Sequence, residues 1–352
     1  MPIRWGIIGC GDVTEVKSGP GFQQVKDSEL VAVMRRNGTL AEDFARRHGV
    51  PYWYDDADKV IHHPEVDAVY IATPPGSHKE YALRVCAAGK PAYIEKPMAR
   101  SYGECQEMVT AFEKAKLPLF VAYYRRGLAR FLKAQELVQS GALGKITGVQ
   151  YRFASAAHRR ILDYLPPDSP HRHIDTANLP WRLRAEEAGG GLFLDLGCHT
   201  LDILDFILGA IVEVAGFASN VASPHAVEDS VVMHFRTEGD VPGIASWNFA
   251  SAIREDLITI QGTEASLELS TFGNEVVRLR RDSDMEEFDL PNPTNIQQPF
   301  IETMVNTLLG RGVCASTGIT AMRTSWVIDK VLESYYGTRR DAFWLRESEW
   351  KP

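Results

Sequence analysis

The chain is short of cysteine, and its five residues (Cys10, Cys86, Cys105, Cys198, Cys314) are scattered, odd in number and free of any C-x-x-C pair. That argues against a disulfide framework or a Cys-rich zinc module and points to buried, reduced thiols. Long apolar runs are lacking too. The longest, such as Leu201 to Val214, carry Asp202, Asp205 and Glu213 and are too short to span a bilayer, so no membrane span is expected. Basic residues are in deficit: 38 Lys and Arg against 46 Asp and Glu give a net charge of -8, and no Lys/Arg-dense stripe offsets it. Such a chain repels a phosphate backbone, which disfavours nucleic-acid binding. No low-complexity tract occurs, and Met1-Pro-Ile-Arg-Trp-Gly runs straight into a strand pattern without an apolar signal segment, which points to the cytoplasm.

What is present is an ordinary globular composition, 45% hydrophobic and 24% charged over 352 residues, long enough for two cores. Compact apolar runs at Ile3 to Gly9, Leu30 to Met34, Ala68 to Ala72, Ala92 to Ile94 and Leu119 to Ala122 read as buried strands. Helix-length segments lie between them, at Leu40 to His48, Lys79 to Ala88 and Tyr102 to Lys116. This alternation predicts a doubly wound parallel sheet of the Rossmann kind over residues 1–122. From residue 123 to 352 the pattern changes. A helix at Phe131 to Ser140 precedes strands at Ile146 to Phe153, Ile211 to Ala218, Val231 to Phe235, Gly243 to Phe249, Leu257 to Gly262, Ala265 to Leu269 and Glu275 to Arg280. Helices are expected at Leu192 to Leu208, Pro299 to Leu309 and Ile319 to Tyr335, the last packing back toward the first domain. The fold class is therefore α/β, with a C-terminal α+β domain whose open, mostly antiparallel sheet has helices on one face only. Apolar residues on both alternations of Ile244 to Phe249 suggest that the other face meets another subunit, giving a homodimer or homotetramer.

Gly9-Cys-Gly11-Asp12-Val13-Thr14 follows the first strand and supplies the first two glycines of a dinucleotide fingerprint, where a tight turn brings backbone N–H groups to a pyrophosphate. At the end of the second strand, where an acid normally meets the ribose of NAD, stand Arg35, Arg36 and Asn37. Two guanidinium groups suit a 2′-phosphate, so NADP(H) is expected over NAD(H). The alternative is a pair of solvated loop arginines. Thr73-Pro74 and His78, after the next strand, fall in a loop over the same crevice.

Glu95-Lys96-Pro97 places Lys96 just past a strand end, where it can act as an acid, although a surface lysine paired to Glu95 is the plainer reading of an isolated tripeptide. In Gly189-Gly-Gly191-Leu-Phe-Leu-Asp195-Leu-Gly-Cys-His199-Thr-Leu-Asp202, three glycines allow close approach of a ligand or a second segment. Asp195, His199 and Asp202 then recur at i, i+4 and i+7, on one face of a helix, and a carboxylate beside an imidazole suits proton transfer. His199 alone would read as a satisfied core histidine.

Together these segments resemble the glucose-fructose oxidoreductase/inositol dehydrogenase (Gfo/Idh/MocA) family over essentially the whole chain. The resemblance rests on Gly9-x-Gly11, Ala72-Thr-Pro-Pro-x-x-His78, Glu95-Lys96-Pro97, Gly141-Ala-Leu-Gly144-Lys and the Gly189 to Asp202 segment, in the family's order. It implies a catalytic set of Lys96, Asp195 and His199 around the substrate, and a cofactor site including Glu95 and Lys96. Tyr123-Tyr124-Arg125-Arg126 matches the segment that in this family joins the domains and contacts nicotinamide or substrate, which implies Arg125 at the cofactor and Tyr124 and Arg126 at the substrate. Thr14 departs from the usual small residue at the third fingerprint position, and the stretch His158 to Arg182 is longer than a minimal member needs.

The expected reaction is hydride transfer between the nicotinamide and a carbinol or carbonyl carbon of a sugar, cyclitol or related polyol, with His199 managing the proton and Lys96 stabilising the oxyanion. No metal is expected. The aperiodic stretch His158 to Arg182 reads as a lid. Its Arg159, Arg160, Arg172, His173 and Arg182 suit a substrate carboxylate or phosphate, and Trp181 beside Arg182 suits stacking on a sugar face. A non-catalytic NADP-sensing regulator would not need Lys96, Asp195 and His199 together. A metal-dependent lyase or hydrolase would use His171, His173 and Asp175 with His199.

Overall fold

The computed structural model describes residues 1–156, 179–274 and 276–344. Packing divides the chain into two compact units, Met1–Leu128 with Asn292–Met322, and Ala129–Pro291 with Arg323–Pro352. The boundary thus falls at Leu128 rather than at 122, and Asn292–Met322, expected with the second domain, groups with the first.

The first unit is built from β1 (Ile3–Ile8), α1 (Gly19–Gln24), β2 (Ser28–Met34), α2 (Gly38–His48), β3 (Tyr52–Tyr54), α3 (Ala57–Ile61), β4 (Ala68–Ile71), α4 (His78–Ala87), β5 (Ala92–Ile94), α5 (Tyr102–Ala115) and β6 (Leu119–Val121). The sheet order is β3-β2-β1-β4-β5-β6 with every pair parallel. Trp5, Ile7, Val33, Val69, Tyr70, Ile71, Tyr93 and Ile94 are fully buried, because helices cover both faces of such a sheet and its strands become continuous apolar runs. Phe22 of α1 sits 4.9 Å from the Trp5 ring and 5.5 Å from Tyr70, which stacks on Tyr93 at 4.5 Å. The strand order reverses between β1 and β4, so the loops that follow them flank the crevice where ligands of such sheets bind. The short β3 and α3 were not expected. Tyr52 and Trp53 of β3 remain exposed, so no buried run announces this edge strand.

The second unit contains α6 (Ala129–Gln139), β7 (Ile146–Ala154), α7 (Ala185–Ala188), α8 (Cys198–Leu208) and the strands β8 (Ile211–Ser219), β9 (Ser230–Thr237), β10 (Pro242–Asn248), β11 (Glu255–Gly262), β12 (Ser266–Leu269), β13 (Val277–Arg281) and β14 (Asp284–Phe288). They form one eight-stranded sheet, β14-β13-β12-β11-β7-β10-β9-β8, antiparallel except where β7 lies parallel to β10. One alternation is core: Tyr151, Trp247, Met233, Ile258 and Leu267 are buried, and Phe193 meets Trp247 edge-on at 4.8 Å. On the other alternation of β10, Ser246 and Asn248 are polar and only Ile244 is apolar, but neighbouring strands add Val232 and Phe217, the three being 56%, 42% and 61% exposed. The helix expected from Leu192 to Leu208 begins instead with a π turn, Phe193–Gly197, and becomes α-helical at Cys198. The Phe193 ring covers Gly197 so closely that a Cβ there would collide with it. Among the described residues no helix is long and apolar enough to cross a membrane.

Ahead of β9, Asp229 accepts the N–H groups of Val221 (2.8 Å), Ala222 (2.9 Å) and Ser223 (2.8 Å). Burial pushes this carboxyl up, but the donors outweigh it and hold the group below its ordinary value. A depressed folded value means that the stabilisation is complete above about pH 4 and is lost as pH falls further. Asp229→Asn is therefore expected to lower thermal stability at pH 7, and the gap from the parent protein should narrow in melts below about pH 4; a gap independent of pH would contradict the assignment.

Candidate active site

The turn after β1 opens at Gly9, with φ +92, where a Cβ would lie 2.9 Å from Thr73 Cγ2 and 3.1 Å from the Ala72 backbone, so only glycine fits. Gly9 and Cys10 donate their N–H groups to Met34 O at 2.8 and 3.0 Å, which ties the turn to the end of β2. Gly11 differs. The only atom near the place of its missing side chain is the Gly9 carbonyl oxygen, 4.0 Å away, so the space above it is open. The N–H groups of Gly11, Asp12 and Val13 enter no backbone hydrogen bond among the described residues, as befits a first helical turn. An open glycine beside three unused donors fits the pyrophosphate of a dinucleotide. Thr14 is fully buried, and its Oγ1 donates to Gly11 O at 2.7 Å while its N–H does so at 2.9 Å. Its side chain thus turns away from the open side. Burial pushes the Cys10 thiol up to about 11 against the opposing charge of Arg35, which leaves it an inert packing residue.

Arg35 is half-buried and Arg36 exposed, and neither forms an ion pair among the described residues. Arg35 N–H donates to Tyr54 O at 3.1 Å, holding the β2 end against β3. Asn37, also expected at the cofactor, caps α2 by accepting the Leu40 N–H at 3.2 Å.

Beyond β5, Glu95 is 6% exposed. Its Oε1 accepts from Tyr70 OH (2.6 Å) and Gln297 Nε2 (2.9 Å), and its Oε2 accepts the N–H of Lys96 (3.1 Å). Gln297 Oε1 in turn accepts from Tyr93 OH at 2.7 Å. Glu95, expected at the cofactor, is thus an internal acceptor that anchors the peptide of half-buried Lys96. His78 was expected at the cofactor as well, but it is fully buried, with Nε2 2.7 Å from Thr73 O and Nδ1 3.0 Å from Pro97 O and 3.2 Å from Met98 O. It clamps the loop after β4 to the Lys96 turn. Burial holds this imidazole below its ordinary value, opposed by those carbonyls and by Glu95. Thr73 Oγ1 accepts from Ser77 Oγ at 2.8 Å, next to half-buried Pro74.

Tyr124, Arg125 and Arg126 lie in a 3-10 turn, Tyr124–Gly127, and all three are buried. The Arg125 guanidinium lies over the Tyr124 ring at 5.0 Å, and Arg126 Nη1 donates to Ala315 O at 3.0 Å.

In the second unit, Arg182 Nε donates to Asp195 Oδ2 at 3.1 Å and stacks over Trp181 at 4.3 Å. Asp195 and His199 are buried, Asp195 inside the π turn and His199 in the first turn of α8. Glu228, with no exposed surface, grips the start of this segment: Oε1 accepts the N–H groups of Gly191 (3.0 Å) and Phe193 (3.1 Å), and Oε2 accepts from Tyr336 OH (2.5 Å). Burial raises the Glu228 carboxyl, and these donors pull it back only in part. A Cβ at Gly191 would lie 2.6 Å from Val227 Cβ and 2.7 Å from Glu228 Oε2, so of the two partners open to the glycine run, a second chain segment occupies this place.

Glu228, Gln297, Arg130, Asp256 and Phe272 were not singled out from sequence. The Glu-Asp pair at 228–229, just before an alternating strand, was the one legible signal. Of the stretch His158 to Arg182, expected to act as a lid, residues 158–178 lie outside the described residues, and with them Arg159, Arg160, His171, Arg172, His173 and Asp175. Among the described residues no group of three His, Cys, Asp or Glu is placed to hold a metal ion.

Residues 3–123 match the family model described as oxidoreductase family, NAD-binding Rossmann fold, and residues 131–268 match the GFO/IDH/MocA C-terminal domain. The chain belongs to the Gfo/Idh/MocA oxidoreductase family. It is 32% identical over 338 residues to oxidoreductase P35 of Formosa agariphila, covering 96% of this chain and 99% of that one. It is 27% identical to the 1,5-anhydro-D-fructose reductase of Ensifer adhaerens, over 90% of this chain and 91% of the relative. A solved levoglucosan dehydrogenase, in complex with NADH and levoglucosan, shares the fold with a TM-score of 0.80 at 22% identity, covering 96% and 98% of the two chains. The protein is accordingly an oxidoreductase of an NAD-binding family.

Gly191→Ala is expected to destabilise the second unit by about 1–3 kcal/mol through overpacking against Val227 and Glu228. Gly312→Ala, at a position with nothing within 4 Å, serves as the control and should melt within about a degree of the parent. Equal melting temperatures for both variants would show that the Glu228 contact is dispensable.

Proposed function

We propose that this protein moves a hydride between a nicotinamide dinucleotide, NADP(H) in preference to NAD(H), and a CH–OH or carbonyl carbon of a sugar, cyclitol or related polyol. The observation that carries the reading is the loop at Gly11: an open glycine and three unused N–H donors after β1. The family match and the sugar-acting relatives supply the substrate class. When bound, the nicotinamide carries the hydride.

The residues of this chain divide the remaining work. Gly9, Gly11, Asp12 and Val13 hold the pyrophosphate, Thr73 and Pro74 border it, and Arg35 and Arg36, free of ion pairs among the described residues, take the 2′-phosphate. Lys96, its peptide fixed by Glu95, stabilises the negative charge that grows on the reacting oxygen. On oxidation His199 takes the hydroxyl proton, directly or by relay, and on reduction it returns it. Asp195, held by Arg182, orients the imidazole or a neighbouring substrate hydroxyl. Trp181, with Arg182 stacked on one face, offers its indole to a sugar ring.

Lys96→Ala and His199→Ala are expected to keep cofactor affinity, read by protein fluorescence titration, while turnover falls by about 10²-fold or more. Near-parental turnover in both would refute the assignment. Arg35→Ala with Arg36→Ala should raise KM for NADPH by at least about tenfold and leave KM for NADH nearly unchanged; a parent enzyme that prefers NADH would overturn the cofactor choice. We also propose that the outer sheet face bearing Phe217, Val232 and Ile244 joins copies of this chain into a dimer or tetramer. Phe217→Lys with Ile244→Lys should then lower the mass seen in light scattering to that of one chain, and a parent protein already monomeric would refute it.

A further inference from the structure

The turn at residues 270–273, the first part of the link between β12 and β13, is held far more firmly than an ordinary surface turn. Arg130, 3% exposed, spends its guanidinium on it: Nη2 donates to Thr271 O at 3.0 Å, and Nη1 donates to Ser270 Oγ at 3.4 Å and to Gly273 O. Asp256 accepts the N–H groups of Thr271 (3.0 Å) and Phe272 (2.6 Å) and, on the same carboxylate, Tyr151 OH (3.2 Å). Thr271 Oγ1 meets Thr200 Oγ1 at 3.1 Å, which pins the turn to α8 at the residue next to His199. A buried guanidinium is costly unless its donors are met. Here the turn meets both terminal nitrogens.

What the turn presents is Phe272. Its ring stands 5.7 Å from the His199 imidazole at an interplanar angle of 84°, edge to face, and touches Phe153 at 5.5 Å on another side. Unlike its buried neighbours Thr271 and Gly273, Phe272 is half-buried. At that distance the two rings are in contact, so a group bound at His199 lies beside Phe272. A substrate hydroxyl that reaches His199 therefore carries its neighbouring carbons over the accessible part of Phe272.

We propose that Phe272 is a specificity-determining residue, an apolar wall that takes the C–H face of a ring-form sugar or polyol beside His199, with Arg130 and Asp256 as the positioning residues that hold it there. This rests on His199 being the proton carrier. A ring substrate spans both groups, whereas a three-carbon carbonyl reaches His199 without covering Phe272. The wall is thus selective by size and by apolar face rather than by charge.

The test compares Phe272→Ala, Phe272→Tyr and His199→Ala, with kcat/KM measured for the best ring-form substrate of a sugar and polyol panel and for dihydroxyacetone. Phe272→Ala should lower kcat/KM for the ring substrate roughly 10- to 100-fold, mostly through KM, and cost dihydroxyacetone less than about threefold. Phe272→Tyr keeps the ring and should restore most of the loss. A second readout is independent of turnover: the ring-current shift on the His199 imidazole protons, seen by NMR in the parent and in Phe272→Tyr, should vanish in Phe272→Ala. Equal losses on both substrates, or no loss on either, would overturn the wall. Activity surviving in His199→Ala would instead overturn the reading on which the wall rests.

Discussion

A carboxylate taken out of water must find donors or forfeit several kcal/mol, and this chain accepts that constraint at three turns that carry a proposed role. Glu95 is met by a tyrosine hydroxyl, a glutamine amide and the peptide of Lys96. Glu228 is met by two peptides ahead of Asp195 and by Tyr336. Asp256 is met by the peptides of Thr271 and Phe272 and by Tyr151. In each case most of the donors come from elements other than the acceptor's own. The bonds to the peptides of Lys96, Gly191, Phe193, Thr271 and Phe272 fix the backbone of each turn, so its course does not depend on the side chain it displays.

The same device explains why some residues expected at the ligand face inward. Glu95 precedes Lys96 and His78 meets the carbonyls of Pro97 and Met98 that follow it, and both spend their polar atoms on protein. Arg126 does likewise with the Ala315 carbonyl. A motif marks these residues without separating those that touch a substrate from those that hold its neighbours. Arg35 and Gly11 belong to a different category, because their surroundings leave side chain or space uncommitted within the first unit.

Much of the fold was legible because its strands are buried on both faces. Ile3–Ile8, Ser28–Met34 and Ala92–Ile94 are compact apolar runs ended by turn residues, and the parallel sheet follows from their alternation with helices. β3 escaped because Tyr52 and Trp53 face solvent, and β14 because Asp284–Phe288 carries three acids and is exposed up to Phe288. The π turn at Phe193–Gly197 has the composition of the α-helix that follows, so no residue type announced it. The proposed site takes from the sequence those residues where chemistry and spacing coincide, Gly9-x-Gly11, Lys96, Asp195 and His199. It was illegible where partners are distant in the chain: Glu228 reaches Gly191 across 37 positions, and Arg130 reaches Thr271 across 141. Such pairings leave no local pattern.

Thr14 shows how a loop can keep its shape while changing its spelling. In the usual fingerprint the third position is small so that helix and strand can approach. Here the hydroxyl folds back onto the Gly11 carbonyl, fully buried, so a larger residue occupies the place without entering the space above the loop. A search pattern that insists on glycine or alanine at that position would pass over this chain, and over any other that hides a threonine in the same way.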